Sequence, residues 1–196
     1  MSKEIIAIDI DDTIAASSEA LMIEVNRAFG CQLTSADYAI EADYQGYYEQ
    51  VWQRHGLTID LAQLLTDMTV DQSHMKVMPG ASAALTQLAN RFELQVVTAR
   101  DRAWYQATMT WVTTNFPNLF AAVNFTTVYE QPLSKGEMCR DIGASCLVDD
   151  NPAFCRSAQV AGIDTVLFGN FAWQHHTCPS ITRCQDWTAV VSHFQD

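Results

Sequence analysis

Residues 4–10 read EIIAIDI, an unbroken apolar run rich in β-branched side chains that meets three acids, Asp9, Asp11 and Asp12, just before Thr13. A strand patterned in this way is buried on both faces, the condition of a strand inside a parallel sheet covered by helices. Three comparable runs follow, FELQVVTAR at 92–100, SCLVDD at 145–150 and DTVLFG at 164–169, with a less distinct one, VNFTTVY, at 123–129. Helical spacing of apolar residues fills 81–91, 102–115, 134–141 and 152–161. Strand and helix alternate, so the expected fold class is α/β, a doubly wound, Rossmann-like parallel sheet with right-handed crossovers.

One interval breaks the alternation. From Ser18 to about Met78 there is no convincing strand, only three helical patterns. Ser18 is placed to cap a helix carrying Leu21, Met22, Val25, Ala28 and Phe29, with Gly30 placed to end it. The aromatic stretch YQGYYEQVWQRHG follows, and then Asp60 and Gln63 stand at capping-box spacing before Leu64, Leu65 and Met68. The expectation is a small all-helical cap at 17–77 inserted after the first strand of a core made of 1–16 and 78–196. Its hinges fall near 15–18 and 77–81. Tyr44, Tyr47, Tyr48 and Trp52 serve as the cap's own core, or one or two of them, Tyr44 and Tyr48 first, reach the mouth of a site to contact substrate.

The 196 residues, 48% hydrophobic and 17% charged, are enough for one good core. A net charge of −12 would repel a polyphosphate backbone, which argues against a nucleic-acid polymer as partner. No apolar run approaches the ~18 residues that span a bilayer, and MSKEIIAIDIDD turns acidic too soon for a signal peptide. No membrane partner and a cytoplasmic location are therefore expected. Six cysteines are scattered without a CxxC pair, in keeping with reduced, structural thiols.

In an open α/β sheet, ligands gather beyond the carboxyl ends of the strands. Here those ends carry Asp9 and Asp11, then Thr98, then Asp149 and Asp150, while Lys135 lies at the start of the helix that feeds the strand SCLV. On an extended chain, residues two apart face the same way, so Asp9 and Asp11 would share a site and Asp12 would point elsewhere. Four or five carboxylates in one pocket repel one another unless a cation lies among them, and hard oxygen donors of this kind suit Mg²⁺. A carboxylate approaching a phosphate dianion meets a repulsion of about 4 kcal/mol per unit pair near 4 Å at an effective dielectric of ~20. A bridging metal and Lys135 would remove most of it.

These residues resemble the motifs of the haloacid dehalogenase superfamily. DIDDT is similar to its DxDxT motif, VVTAR to its strand-plus-Thr/Ser motif, Lys135 to its motif lysine and CLVDDNP to its acidic pair. The resemblance extends to the 5′(3′)-deoxyribonucleotidase-like branch, through the size of the chain, the helical insert and the late ITRCQDWTAVV. Thr13, where that branch often has Val, and Ala99, where its animal enzymes carry Ser, depart from it. What the resemblance implies is a Mg²⁺-dependent hydrolase of a small-molecule phosphomonoester, with a 5′-(deoxy)nucleotide as one candidate and a sugar phosphate or other non-nucleotide as the alternative. Asp9 would be the nucleophile and Asp11 the acid/base, with Thr98 and Lys135 on the phosphoryl oxygens. The metal would be held by Asp9, the backbone carbonyl of Asp11 and one or both of Asp149 and Asp150.

Rival readings attach to the same residues. The two first acids would merely solvate a strand end, Asp149-Asp150-Asn151-Pro152 would cap a helix, and Arg100 would pair with Asp101 at a helix start instead of touching substrate. A phosphomutase would share Asp9 and Asp11. A phospho-acceptor signalling module gathers similar groups but in another order and without the insert, and a non-catalytic binding protein would not need the full motif set. In WQHHTC, His175, His176 and Cys178 read as a surface loop, with a metal site as the lesser reading.

Overall fold

The computed structural model of the chain describes residues 3–68, 71–127, 133–175 and 180–195. Six strands form one all-parallel sheet: β1 (Ile5–Ile8), β2 (Glu93–Thr98), β3 (Ala122–Phe125), β4 (Ala144–Asp149), β5 (Asp164–Phe168) and β6 (Thr182–Cys184), in the order β3-β2-β1-β4-β5-β6. β1 is central and fully apolar, as its sequence requires, and Ile6, Ala7 and Ile8 are wholly buried. Around the sheet run α4 (Ala81–Leu88), α5 (Tyr105–Asn115), α6 (Lys135–Asp141), α7 (Pro152–Val160) and α8 (Trp187–His193). The order reverses between β1 and β4, which opens a crevice above the carboxyl ends of those two strands. The expected α/β class, with each of the strand runs, holds.

Between β1 and α4 lie α1 (Ser17–Phe29), α2 (Tyr47–Arg54) and α3 (Leu61–Met68), with no strand among the described residues. The chain leaves β1 in a tight loop, where the Ile14 and Ala15 amides both donate to the Ile10 carbonyl. It then passes a narrow antiparallel neck: Ala15 lies opposite Val77, the Ala16 amide donates to Lys76 at 2.9 Å and the Met78 amide to Ile14 at 2.8 Å. Above the neck, Val25, Tyr47, Val51, Trp52 and Leu64 belong to the same continuous apolar cluster as Ile8, Leu85, Val96 and Trp187 of the sheet and its helices. From the far end of the chain, Trp187 Nε1 donates to the Thr13 carbonyl at 3.0 Å, so α8 steadies the acid-bearing loop.

Two local expectations are corrected. Ser18 does not cap α1. The helix begins at Ser17 with Ala16 at the cap position, and the Ser18 amide donates instead to Asp12 Oδ1 at 3.0 Å. The carboxylate that caps the helix comes from the preceding loop, which frees both serines for other partners. Gly30, in the left-handed region with φ 63°, ends α1 as expected. The second correction concerns WQHHTC. Trp173 and Gln174 are buried in a short 3-10 turn, not on a surface loop. His176 and Cys178 lie outside the described residues. The five described cysteines are free, and Cys139, Cys146, Cys155 and Cys184 are buried.

Candidate active site

Ile8 pairs with Val96 on one side and Val148 on the other, so the ends of three strands are level and their next side chains meet. Asp9 continues the ladder, its amide donating to Val148 at 3.0 Å, and it lies beside Asp149, the last residue of β4. Lys135, the first residue of α6, is brought in from below. Ser134 and Glu137 form a reciprocal capping box that fixes the helix start, and Gly136 lets α6 run against α7, where a Cβ would lie 2.2 Å from the Ser157 carbonyl oxygen. The Lys135 ammonium is 2.6 Å from Asp9 Oδ1 and 2.6 Å from Asp149 Oδ2, and it lies 4.4 Å from the centre of the Phe154 ring.

Carboxylate oxygens of Asp9, Asp149 and Asp150 all lie within 4.8 Å of one another. Burial pushes each of these acids up, Asp9 to about 7, and their mutual repulsion adds to it against the opposing pull of Lys135. Asp150, which has no ion-pair partner among the described residues, is raised well above the carboxylate range. Burial disfavours the Lys135 charge, yet Asp149 and Asp9 outweigh it and hold the ammonium protonated. One lysine among three buried carboxylates leaves uncompensated negative charge, and three hard oxygen donors fit a divalent cation. The cluster therefore suits a metal on its own chemistry.

Trp173 and Gln174 hold Asp150 in place. The indole Nε1 donates to Asp150 Oδ2 at 3.0 Å, and Gln174 Nε2 donates to the Asp150 carbonyl at 2.6 Å and to the Phe168 carbonyl at 2.7 Å. Sequence reasoning missed both residues. The neighbouring histidines drew attention to the segment, but nothing local links it to an acid 23 residues away. On the other side, the Asn151 amide donates to Asp149 Oδ1 at 2.9 Å, and the Asn151 side chain caps α7 with Pro152 in its first turn. The acidic run thus caps a helix and faces the site at once.

The first three acids take different partners, and strand alternation is not what separates them. β1 ends at Ile8 and the chain has turned by Ile10, so strand alternation no longer applies to residues 11 and 12. Asp11 pairs its carboxylate with Arg100, whose Nε donates to Oδ2 at 2.8 Å and whose NH2 donates to Oδ1 at 2.7 Å, and its charge still acts on Asp9 and Asp149. Ser17 Oγ adds a bond at 2.5 Å. Burial alone would raise Asp11, but the guanidinium and the serine hydroxyl outweigh it and hold the carboxyl below its usual range. Arg100 is thus paired with Asp11, not with Asp101, which instead accepts from the Ala103 amide at 2.8 Å. Asp12, in the left-handed region at φ 51°, bonds the Ser18 amide and hydroxyl, and burial lifts it to about 7.

Thr98 is fully buried at the end of β2, and its hydroxyl oxygen accepts from the Arg100 amide at 3.2 Å, which leaves the hydroxyl proton to point elsewhere. The aromatic residues divide. Tyr47 and Trp52 are core. The Tyr48 hydroxyl meets Ser18 Oγ at 2.6 Å, and Tyr44 packs edge-on against Trp173 at 5.7 Å. Burial raises the Tyr48 phenol well above its ordinary value, with Asp12, Asp150 and Asp11 adding to it, while Tyr44 is 41% exposed. A cavity of about 380 Å³ lies between Asp43, Tyr44 and Gln45 on one side and Asn151, Arg156 and Trp173 on the other, and none of the candidate catalytic acids lines it.

A family profile described as 5′ nucleotidase, deoxy (pyrimidine), cytosolic type C protein (NT5C) matches residues 3–194. Comparison with curated proteins gives no match. Among solved structures, one from Lactobacillus delbrueckii subsp. bulgaricus, assigned as a phosphoglycolate phosphatase, superposes with a TM-score of 0.66 at 14% identity, covering 98% of each chain. A HAD-hydrolase from Bacillus subtilis bound to magnesium gives 0.64 at 16% identity over 100% of both chains. A haloacid dehalogenase-like hydrolase from Streptococcus pneumoniae gives 0.60 at 14% identity, covering 98% of this chain and 99% of its own. The structural likeness establishes the fold, and the profile, spanning nearly every residue, establishes that the chain belongs to the NT5C family of the haloacid dehalogenase superfamily.

Proposed function

We propose that the protein hydrolyses the phosphomonoester of a small metabolite, a 5′-(deoxy)nucleotide by preference, through a phosphorylated Asp9. The observation that carries this reading is the placement of Lys135, 2.6 Å from Asp9 and from Asp149, beside a third carboxylate with no ion-pair partner among the described residues. Arg100 and Ser17 keep Asp11 ionised in the free site, so Asp11 takes up a proton as the phosphate dianion binds beside it and raises its pKa. An oxygen of Asp9 then attacks phosphorus as the bond to the leaving alcohol breaks, and Asp11 passes that proton to the departing oxygen. Asp11, now a carboxylate, takes a proton from water as that water attacks phosphorus, and the Asp9–phosphorus bond breaks to release phosphate. Thr98 and Lys135 donate to the phosphoryl oxygens throughout. A Mg²⁺ held by Asp9, Asp149, Asp150 and the Asp11 backbone carbonyl would supply the positive charge that lets a carboxylate approach a phosphate dianion.

The nucleotide preference is supported by the family to which the chain belongs. We read the helical segment at 17–77 as the cap that brings Tyr44 and Tyr48 over the acids, and the location as cytoplasmic. Phosphate release from a panel of nucleotides and sugar phosphates, with and without Mg²⁺, tests the reading. Turnover is expected only with the metal and best with nucleoside monophosphates, and Asp9→Asn is expected to abolish it. Retained turnover in Asp9→Asn overturns the mechanism, and a sugar phosphate as best substrate overturns the nucleotide assignment.

A further inference from the structure

We propose that Arg100 is the positioning residue for Asp11, fixing its carboxyl group in the orientation from which it serves the departing alcohol, with Gln72 bracing the guanidinium from behind. This rests on the assignment of Asp11 as acid/base. The Arg100 side chain is only 2% exposed, so it is not a surface ion pair. Its Nε and NH2 engage both oxygens of Asp11 in a two-bond fork, which fixes the plane of the carboxyl group as well as its place.

The far side of the guanidinium is committed too. NH1 donates to Gln72 Oε1 at 2.7 Å and to Thr108 Oγ1 at 3.1 Å, and NH2 lies 3.7 Å from Met75 Sδ. The backbone is held at both ends, the amide on Thr98 Oγ1 and the carbonyl accepting from Thr127 Oγ1 at 2.6 Å. Each guanidinium nitrogen is thus occupied by protein, and none is left aimed at a substrate. Gln72 is itself buried, and its Nε2 has no partner among the described residues. The amide is oriented by what its oxygen does for Arg100, at the expense of its own donor. Gln72 and Met75 lie on the limb that returns from the helical segment, and Ser17, on the outgoing limb, bonds Asp11 from the other side. Both limbs of the insert therefore converge on the carboxyl group whose angle matters for proton delivery.

A lysine at position 100 would keep the charge but hold one oxygen only, leaving the carboxyl group free to rotate. Misplacement by about 1 Å costs a reaction on the order of 100-fold. The loss falls on esters whose leaving group needs a proton. Phenyl phosphate and p-nitrophenyl phosphate have nearly the same shape, but nitrophenolate departs without a proton while phenolate benefits from one. Values of kcat/KM report the steps up to departure of the alcohol. Arg100→Lys is expected to lower kcat/KM roughly 30-fold or more for phenyl phosphate and by less than about 5-fold for p-nitrophenyl phosphate.

Equal falls on the two esters, or no fall on either, overturn the proposal. Asp11→Asn separates the two levels of the argument. If it discriminates between the esters and Arg100→Lys does not, the positioning role fails and the acid/base assignment stands. If Asp11→Asn does not discriminate, the acid/base assignment itself fails. Should Arg100→Lys lack the wild-type circular dichroism spectrum, Gln72→Leu takes its place, since it removes the brace and the orphaned donor while leaving the fork. The same discrimination is then expected with a smaller ratio, and a uniform loss overturns the proposal.

Discussion

Asp12 sits in the same loop as Asp9 and Asp11 and is spent differently. Its carboxyl group accepts from the amide and hydroxyl of Ser18, so it caps α1, and burial raises it to about 7 from an unfolded value near 3.8. Between those values the folded chain keeps a proton that the unfolded chain has lost, so this group's contribution to stability falls as pH rises from about 4 to about 7 and stays low above that. Asp12→Asn keeps an acceptor for Ser18 without the ionisation. The variant should melt near wild type at pH 4 and at least ~2 °C higher at pH 8, with phosphatase turnover retained. A lower melting temperature at pH 8, or abolished turnover, refutes this account. The three acids were legible in the sequence as a group, but the partners that hold Asp11 and Asp12 were not. Alternation along a strand assigns faces only while the chain is extended, and here it turns at Ile10. The partner of Asp11 is 89 residues away.

At the scale of elements, the helix α6 delivers Lys135 and the glycine behind it sets how far the lysine reaches. A Cβ on residue 136 would sit 2.2 Å from the Ser157 carbonyl oxygen and 2.7 Å from its carbon, both backbone atoms that cannot step aside alone. Gly136→Ala should therefore push α6 off α7, destabilising the fold by about 1–3 kcal/mol and lowering turnover more than a surface Gly→Ala change would. Thermal melting and the phosphatase assay check this, and a wild-type melt with wild-type turnover would refute it. The strands and most helices were readable, because burial on both faces and helical spacing write themselves into consecutive residues. The start of α1 was misread for the opposite reason. Ser18 has the side chain of a cap, but Asp12 of the preceding loop takes the role. Trp173 and Gln174 escaped notice because a hydrogen bond to Asp150 leaves no periodicity behind.

For the whole molecule, one apolar cluster runs from Trp52 and Val51 of α2 through to Leu85 and Trp187 beside the sheet. The helical segment is an insertion by connectivity, and it shares its packing with the layer beneath. Replacing residues 17–77 by a short polar linker should therefore abolish cooperative thermal unfolding, since Leu21, Val25 and Leu64 would leave apolar surface on the sheet side uncovered. A sharp melt from the shortened chain would show that the sheet domain folds unaided. Among the described residues no helix is long and apolar enough to cross a membrane. The neck between Ala15 and Val77 carries a consequence of its own. Because the two limbs enter and leave side by side, held by a few backbone hydrogen bonds, closing the loop costs little more for a longer insert than for a shorter one. Over evolutionary time the segment is thus free to change in length and in the side chains it turns toward the cavity, while its underside must keep matching the sheet.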